Sequence, residues 1–162
     1  MKLITNQFKK PNGSVRVSGA KNSATRLMAA AMLTDEKVIL SNFPTELIDV
    51  RHTGRFIEDL GGDVSYDVDA ESCTIECASL NRHELDSYDY PIRTTYLFAA
   101  GLLHRYGRAR IPYPGGCKLG ERKYDLHLYV WRQLGCTVEA NDDFIEISCE
   151  QQGLMANTID FP

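Results

Sequence analysis

Apolar residues recur along this chain at two different spacings, and these spacings predict both helices and strands. Positions three and four apart are apolar in residues 22–33 and 94–106, which is typical of amphipathic helices rich in alanine. Apolar and polar residues alternate in residues 74–77 and 144–148, which predicts half-buried strands. An α/β fold is therefore expected.

The pattern occurs twice along the chain. Residues 28–33 align with residues 98–103 at an offset of seventy, and the offset becomes seventy-four where Gly61 aligns with Gly135. Both glycines are expected to end a helix, since glycine accepts the left-handed conformation that follows a helix end. Each unit is thus predicted to run helix, strand, loop, helix, hairpin.

Repeat boundaries follow from this alignment. We expect one partial domain over residues 1–162, with repeat 1 at about 13–77, repeat 2 at about 85–149 and the start of a third repeat at 150–162. Residues 13–17 are predicted to form a strand before the first helix, and residues 154–161 a comparable strand at the far end. No helix follows the latter, which suggests a fragment or one part of a larger assembly.

Composition narrows the class of protein. A chain of 162 residues with 43% hydrophobic and 25% charged residues can bury a single core. The net charge of −4 argues against nucleic acid as a partner, which would require a concentrated basic face. The longest apolar run, residues 97–103, is too short to cross a membrane, and no leader follows Met1. We expect a cytoplasmic protein.

Four of the five cysteines are expected to be buried rather than to bind a metal. Cys73, Cys77, Cys136 and Cys149 show neither regular pairing nor the close C-x-x-C spacing of zinc sites. No metal and no cofactor are therefore expected.

Cys117 has a different setting. It follows Gly115-Gly116 in a loop, and Lys118, Arg122 and Lys123 lie close to it in sequence. Neighbouring cations favour the thiolate and so lower the pKa of a cysteine. From these residues alone, a functional thiol and a merely exposed one remain equal alternatives.

Basic residues mark the expected amino ends of the two alanine-rich helices. Lys21 and Asn22 precede the first helix, and Arg93 stands at the matching place before the second. Helix amino ends attract anions through unpaired N–H groups and the helix dipole. With Arg122, these positions favour a site for phosphate or carboxylate over isolated surface cations.

Several of these segments, taken together, resemble one family. They are residues 18–24, Arg93 with the helix after it, Pro114-Gly115-Gly116-Cys117, and the run from Arg122 to His127. In this order and spacing they are similar to the amino-terminal portion of the UDP-N-acetylglucosamine 1-carboxyvinyltransferase (MurA) family of enolpyruvyl transferases. The resemblance covers nearly the whole chain.

The resemblance implies a fold, a reaction and partners. The fold would be the inside-out α/β barrel of enolpyruvyl transferases, built from βαβαββ units, with two units and the start of a third here. The reaction would transfer the enolpyruvyl group of phosphoenolpyruvate to the 3-hydroxyl of UDP-N-acetylglucosamine, releasing phosphate for peptidoglycan synthesis. The partners would be these two substrates and the missing carboxy-terminal portion of the enzyme.

It also implies residue roles. Lys21 and Asn22 would contact phosphoenolpyruvate and the reacting sugar, and Arg93 would line the same cleft. Cys117 would be the general acid that protonates the enol methylene carbon, and Lys21 and Arg93 would be catalytic with it. The nucleotide would be held by Arg122, Lys123, Tyr124, Asp125 and Leu126. His127 matches a histidine beside this site, although a structural histidine is an equal alternative.

Two departures from the family leave alternatives open. Lys123 replaces the proline that usually follows the arginine matched by Arg122, and a loop reshaped by this change would alter the nucleotide preference, so a relative acting on another nucleotide is an alternative. The second domain, with its aspartate base, has no counterpart here, so a non-catalytic nucleotide-binding module is the third alternative. Shikimate-utilising relatives are disfavoured, because the Gly-Gly-Cys loop belongs to the sugar-nucleotide branch.

Overall fold

The computed structural model describes residues 3–6, 10, 12–85, 94–113, 124–141, 143–149 and 154–162. In this part of the chain, helices and strands follow one another twice in the same order. The first set is α1 (Lys21–Ala31), β1 (Val38–Leu40), α2 (Ile48–Asp59), β2 (Asp63–Asp67) and β3 (Ser72–Glu76). The second set is α3 (Phe98–Tyr106), preceded by a 3-10 helix (Thr94–Leu97), then β4 (Arg108–Pro112), α4 (Asp125–Gln133), β5 (Cys136–Ala140) and β6 (Phe144–Cys149). The prediction of an α/β fold is confirmed.

Two three-stranded antiparallel sheets share one strand order. The order is β1-β3-β2 in the first sheet and β4-β6-β5 in the second, so the last strand of each set is central. Ile75 pairs with Val38 on one side and Val64 on the other. Ile145 holds the same place in β6, between Ile111 and Ala140. Both isoleucines are fully buried, because the alternating pattern turns their side chains towards the core.

The helix ends at Gly61 and Gly135 confirm the sequence prediction. Both glycines have positive φ, 97° and 87°, directly after the last turn of α2 and α4. Side chains other than glycine rarely adopt this conformation, so glycine ends the helix at little cost.

Helices α1 and α3 pack closely. A Cβ atom on Gly101 of α3 would lie 2.6 Å from the Cβ of Met32, so only glycine permits this approach. Phe56 of α2 adds an aromatic contact to Phe98 of α3, with ring centroids 5.4 Å apart. Side chains from both sets of elements therefore share one hydrophobic core.

Arg105, in the last turn of α3, joins the carboxyl ends of the two helices. Its Nε donates to the Met32 carbonyl at 2.6 Å, and its Nη2 donates to the Thr34 carbonyl at 2.7 Å. Nη1 forms an ion pair with Asp35 at 2.7 Å. The side chain is only 15% exposed, and these acceptors include carbonyl groups left unpaired at the end of α1.

Two predicted strands are wrong. Residues 13–17 form no strand, and Val15 and Val17 are 87% and 76% exposed, because no ladder partner lies beside them in the described part of the chain. Residues 154–161 form no strand either, since they lie along α4 instead. There Met155 N–H donates to the Leu134 carbonyl at 2.9 Å, and the Tyr129 hydroxyl donates to a carbonyl in this segment at 2.9 Å.

In the second set, a single bridge precedes the helix. Glu84 pairs with Arg110 of β4 in parallel orientation, and Leu85 N–H donates to the Arg110 carbonyl at 3.0 Å.

The cysteines confirm one expectation and correct another. Cys73 and Cys77 are buried and unbonded, as expected, and burial raises the pKa of the Cys73 thiol to about 12. Cys136 and Cys149, however, form a disulfide, contrary to the expectation that the cysteines do not pair. They are thirteen residues apart in sequence but stand opposite each other across β5 and β6, with Cα atoms 4.3 Å apart.

No helix in the described ranges combines the length and the apolar character needed to cross a membrane.

Candidate functional site

Lys21 begins α1 and lies next to a carboxylate. Its Nζ is 3.3 Å from Oδ2 of Asp49, which lies in the first turn of α2. About half of the Lys21 side chain remains exposed, so the ammonium group is available to a ligand. Sequence reasoning missed Asp49, because its proximity to Lys21 depends on how α1 and α2 pack.

The amino end of α1 is open to an anion. Ala20 occupies the cap position and offers no side-chain hydrogen bond to the first turn, which also contains no acidic residue. Asn22 is exposed, and its backbone carbonyl accepts a bond of 2.7 Å from the Arg26 side chain, which leaves its side-chain amide for a ligand. Unpaired N–H groups and the Lys21 ammonium group therefore lie together, as an anion site requires.

The other described site residues lie at the amino end of α4. Tyr124 is buried at the cap position, whereas Asp125, Leu126 and His127 in the first turn are exposed. The His127 ring packs against Tyr96 of the 3-10 helix, with centroids 4.3 Å apart.

Partial burial of the His127 ring lowers its pKa below the usual value, while the nearby Asp125 carboxylate acts in the opposite direction. The lowered pKa favours the neutral imidazole, which can both donate and accept a hydrogen bond.

Two further ring contacts extend from Tyr96 through Tyr124 to Tyr113. Tyr96 lies 5.5 Å from Tyr124, and Tyr113 meets Tyr124 edge to face at 5.8 Å. Tyr96 and Tyr113 were missed by sequence reasoning. The only available signal was their place in sequence, three residues after Arg93 and four before Cys117.

Four predicted site residues, Arg93, Cys117, Arg122 and Lys123, lie outside the described residues. Their places in the site remain predictions. The structure thus describes two helix amino ends that carry site residues, those of α1 and α4.

A cleft of about 280 Å³ lies beside the segment that leads into α1. Its lining includes Ser18, Gly19 and residues 42–47, and its charged groups are Glu46 and Glu71. Glu71 is paired with Arg16 at 2.6 Å, but the Glu46 carboxylate repels phosphate and carboxylate ligands and the described lining includes no cation, so this cleft does not suit an anionic substrate. Nor do the described residues contain a cluster of histidine, cysteine and carboxylate groups that could hold a metal ion.

Comparison with known proteins gives consistent matches. The family model described as EPSP synthase (3-phosphoshikimate 1-carboxyvinyltransferase) matches residues 5–162. The UDP-N-acetylglucosamine 1-carboxyvinyltransferase of Maricaulis maris (strain MCS10) is 40% identical over 152 residues, which cover 93% of this chain and 35% of the relative. The protein of the same name from Wolbachia pipientis wMel is 33% identical over 143 residues, covering 85% of this chain and 33% of its own length.

A solved structure shares the fold. The crystal structure of the enolpyruvyl transferase NikO from Streptomyces tendae matches with a TM-score of 0.68 and 24% identity, covering 89% of this chain and 31% of that one. The chain spans about a third of the length of the curated relatives it matches. Because the family model matches nearly all of the sequence, the chain belongs to the EPSP synthase family.

Proposed function

We propose that this chain is the amino-terminal part of an enolpyruvyl transferase that acts on UDP-N-acetylglucosamine. The reaction would move the enolpyruvyl group of phosphoenolpyruvate to the 3-hydroxyl of the sugar and release phosphate. The observation that carries this proposal is the 40% identity, over 152 residues, to a relative named UDP-N-acetylglucosamine 1-carboxyvinyltransferase.

The residues at the start of α1 suit the phosphoenolpyruvate end of the reaction. Protonation of the vinyl carbon creates positive charge beside a phosphate, so the site needs one placed acid and several fixed cations. The open amino end of α1 and the half-exposed Lys21 supply an anion-binding group. Arg93 would add a second cation, and Cys117 would be the acid.

The start of α4 suits the nucleotide end. Arg122, Lys123, Tyr124, Asp125 and Leu126 are proposed to hold the uridine nucleotide, with His127 beside them. Asp125 and Leu126 are exposed at a helix amino end, where backbone N–H groups are available to a ligand.

The architecture is proposed to be part of an inside-out α/β barrel. Its support is the shared order of the two sheets, each formed by one repeat of the sequence. Residues 150–162 would begin a third repeat, and the rest of the enzyme would close the active-site cleft and supply the general base.

A second candidate is an enolpyruvyl transferase that acts on another nucleotide. Lys123 favours it, because a lysine replaces the proline expected in the nucleotide segment and changes both the charge and the backbone freedom there. Both candidates share the chemistry at Cys117 and differ only in the acceptor.

A completed enzyme tests the proposal, with residues 5–162 of this chain replacing the matched segment of the Maricaulis maris relative. We expect phosphate release that requires both phosphoenolpyruvate and UDP-N-acetylglucosamine. Cys117→Ala should reduce it by about a thousandfold, the scale of losing a catalytic acid, whereas Cys73→Ala should not. Equal turnover by Cys117→Ala would contradict the proposal, and turnover with UMP in place of the sugar nucleotide would favour the second candidate.

A further inference from the structure

The disulfide between Cys136 and Cys149 lies at the edge of the second sheet where helix α4 stops. The two cysteines form the first pair of the β5–β6 ladder, and Cys136 directly follows Gly135, the glycine after the last turn of α4. Cys149 N–H donates to the carbonyl of Gly107, which caps α3, at 2.8 Å. The bond therefore lies where the carboxyl ends of two helices meet the sheet.

Residues 154–162 are attached at the same place. Met155 N–H donates to the Leu134 carbonyl at 2.9 Å, and a Cβ atom on Gly135 would lie 2.8 Å from Cε of Met155. The structure describes all of α4 and buries none of its residues, so contacts at its carboxyl end matter for its place on the sheet. We call this attachment of Met155 to Leu134 and Gly135 the second junction.

The first repeat contains the same junction without a disulfide. Asn81 N–H donates to the Leu60 carbonyl at 3.0 Å, and a Cβ atom on Gly61 would lie 2.9 Å from the Asn81 side chain. These three residues precede their counterparts in the second repeat by seventy-four positions. We call this attachment the first junction.

Glycine replaces one of the two cysteines in the first repeat. The register of β2 and β3, continued by one residue, places Gly62 opposite Cys77. Cys136 and Cys149 occupy these two positions in the second sheet. The first sheet has the same strand order although Cys77 is unbonded, so a repeat keeps this fold without the bond. The reduced second repeat therefore has a folded form to adopt.

The two linked cysteines differ in exposure. Cys136 is only 6% exposed, whereas Cys149 is partly exposed at the end of β6. A reducing thiolate therefore reaches Cys149 more easily, and access is one of the factors that set the rate of thiol–disulfide exchange. Cys77 provides a contrast, because it is buried and burial raises the pKa of its thiol.

We propose that Cys136 and Cys149 form a reversible thiol–disulfide switch that controls how firmly residues 154–162 are held at the second junction. The reductant is a small dithiol. One of its thiolates bonds to the Cys149 sulfur, and Cys136 leaves as a thiolate and takes up a proton. The second thiol of the reductant then displaces Cys149, so the dithiol becomes a disulfide and its two protons end on the two cysteines. This switch involves no substrate and is separate from the proposed function.

The test equilibrates the full 162-residue chain with mixtures of oxidised and reduced dithiothreitol. Blocking of free thiols with N-ethylmaleimide, followed by peptide mapping, measures the fraction of the chain that carries the Cys136–Cys149 bond. We expect this bond to form and break reversibly as the mixture is changed, while circular dichroism shows a folded chain throughout.

Deuterium exchange of two backbone amides measures the effect on the junctions. Reduction should make exchange of the Met155 amide about tenfold faster, since a disulfide commonly supplies more stabilisation than this change requires. Exchange of the Asn81 amide, its counterpart in the first junction, should not change.

Cysteine variants assign the effect to the bond. In Cys136→Ala the Met155 amide should exchange at the reduced rate under both conditions, whereas Cys77→Ala should respond to reduction as the wild type does. If Cys136→Ala does not fold by circular dichroism, Cys149→Ser replaces it, because Cys149 is the more exposed of the pair.

Three results would overturn the switch. The first is a chain that unfolds when the bond is reduced, because the bond would then be a requirement of the fold. The second is a chain that forms no Cys136–Cys149 bond in oxidised dithiothreitol. The third is equal exchange of the Met155 amide in the oxidised and reduced chains, which would show that the bond does not control the second junction.

Discussion

Lys21 and Lys37 have similar side-chain environments but different places in the fold. Each forms an ion pair with a carboxylate, at 3.3 Å to Asp49 and 2.9 Å to Glu76, and each is about half exposed. Only Lys21 begins a helix with an open amino end. The difference between them is therefore the ability to bind an anion.

We predict that Lys21→Met lowers turnover of the completed enzyme by about a hundredfold or more, because a fixed cation near developing charge is lost. The control variant Lys37→Met should keep wild-type turnover. Both should change the free energy of unfolding by less than about 1 kcal/mol, as is typical of exposed ion pairs. Equal losses of turnover in the two variants would contradict a specific role for Lys21.

The buried thiol of Cys73 makes stability depend on alkaline pH. Burial raises its pKa to about 12 in the folded chain, well above that of an exposed thiol, while the nearby Arg51 acts in the opposite direction. Above about pH 9 the unfolded chain releases this proton and the folded chain retains it, so the unfolded state is favoured increasingly up to about pH 12.

We predict that the free energy of unfolding falls by up to about 1.4 kcal/mol per pH unit through Cys73 alone in this range. Urea unfolding of wild type and Cys73→Ala between pH 8 and 11 measures it, and the variant should show the shallower decline. Parallel curves for the two proteins would show that the thiol does not carry the effect. The slopes are compared rather than the absolute values, because Cys73→Ala also removes buried volume.

At the residue scale, the sequence indicated the candidates with full charges but not their partners. Lys21 is recognisable from its place before an alanine-rich helix. Asp49 and Tyr96 are not, since each becomes relevant only through a contact between elements that are distant in sequence. The pairing of Cys136 with Cys149 was missed for the same reason, because it depends on the register of β5 and β6.

At the scale of elements, α2 and β2 approach each other closely at Gly54. A Cβ atom there would lie 2.1 Å from the hydroxyl of Tyr66. That hydroxyl donates to the Val50 carbonyl at 3.2 Å, and the guanidinium of Arg51 lies 4.0 Å from the centre of the same ring. The tyrosine therefore has little freedom to move away from an added methyl group.

We predict that Gly54→Ala lowers the free energy of unfolding by about 1–3 kcal/mol, as overpacked sites do. In a Tyr66→Phe background the nearest ring atom would be 3.2 Å from the new methyl group, so the same change should cost less. The helix propensity of alanine is also better than that of glycine, by about 1 kcal/mol. A double-mutant cycle by urea unfolding measures the coupling, and additive effects would contradict the steric explanation.

Helices and strands with a clear period of apolar residues were predictable, and those that depend on a partner distant in sequence were not. The alanine-rich helices and the strands at 74–77 and 144–148 match α1, α3, β3 and β6 within a few residues. Apolar and polar residues alternate equally well in residues 13–17, but these residues form no strand. The alternation shows which side chains share a face, and it does not show whether a neighbouring strand supplies backbone hydrogen bonds. The repeat made the shared order of the two sheets expected, but their strand register was visible only in the structure.

At the scale of the whole molecule, the chain corresponds to about a third of its relatives. Enolpyruvyl transfer, as proposed, needs both substrates enclosed and a general base, which the proposal assigns to the rest of the enzyme. We predict that the 162-residue chain alone shows no phosphate release dependent on both substrates, and that calorimetry detects at most weak binding of UDP-N-acetylglucosamine.

Tyr124→Ala, at the start of α4, should abolish any such binding, whereas Tyr106→Ala should leave it unchanged. Turnover by the isolated chain that disappears in Cys117→Ala would contradict this prediction. Such a result would mean that copies of the chain assemble a whole active site.

The bond between Arg105 and Asp35 also bears on how the two repeats could have arisen. These residues are seventy positions apart, which is the offset between the repeats, so they are aligned in sequence and meet each other, although Arg105 lies within α3 and Asp35 follows the end of α1. Two identical copies of either repeat, joined in this way, would bring two arginines or two aspartates together, and like charges repel. If the repeats descend from one duplicated unit, the ancestral pair must have used a different residue here, and the later divergence made the two halves non-interchangeable.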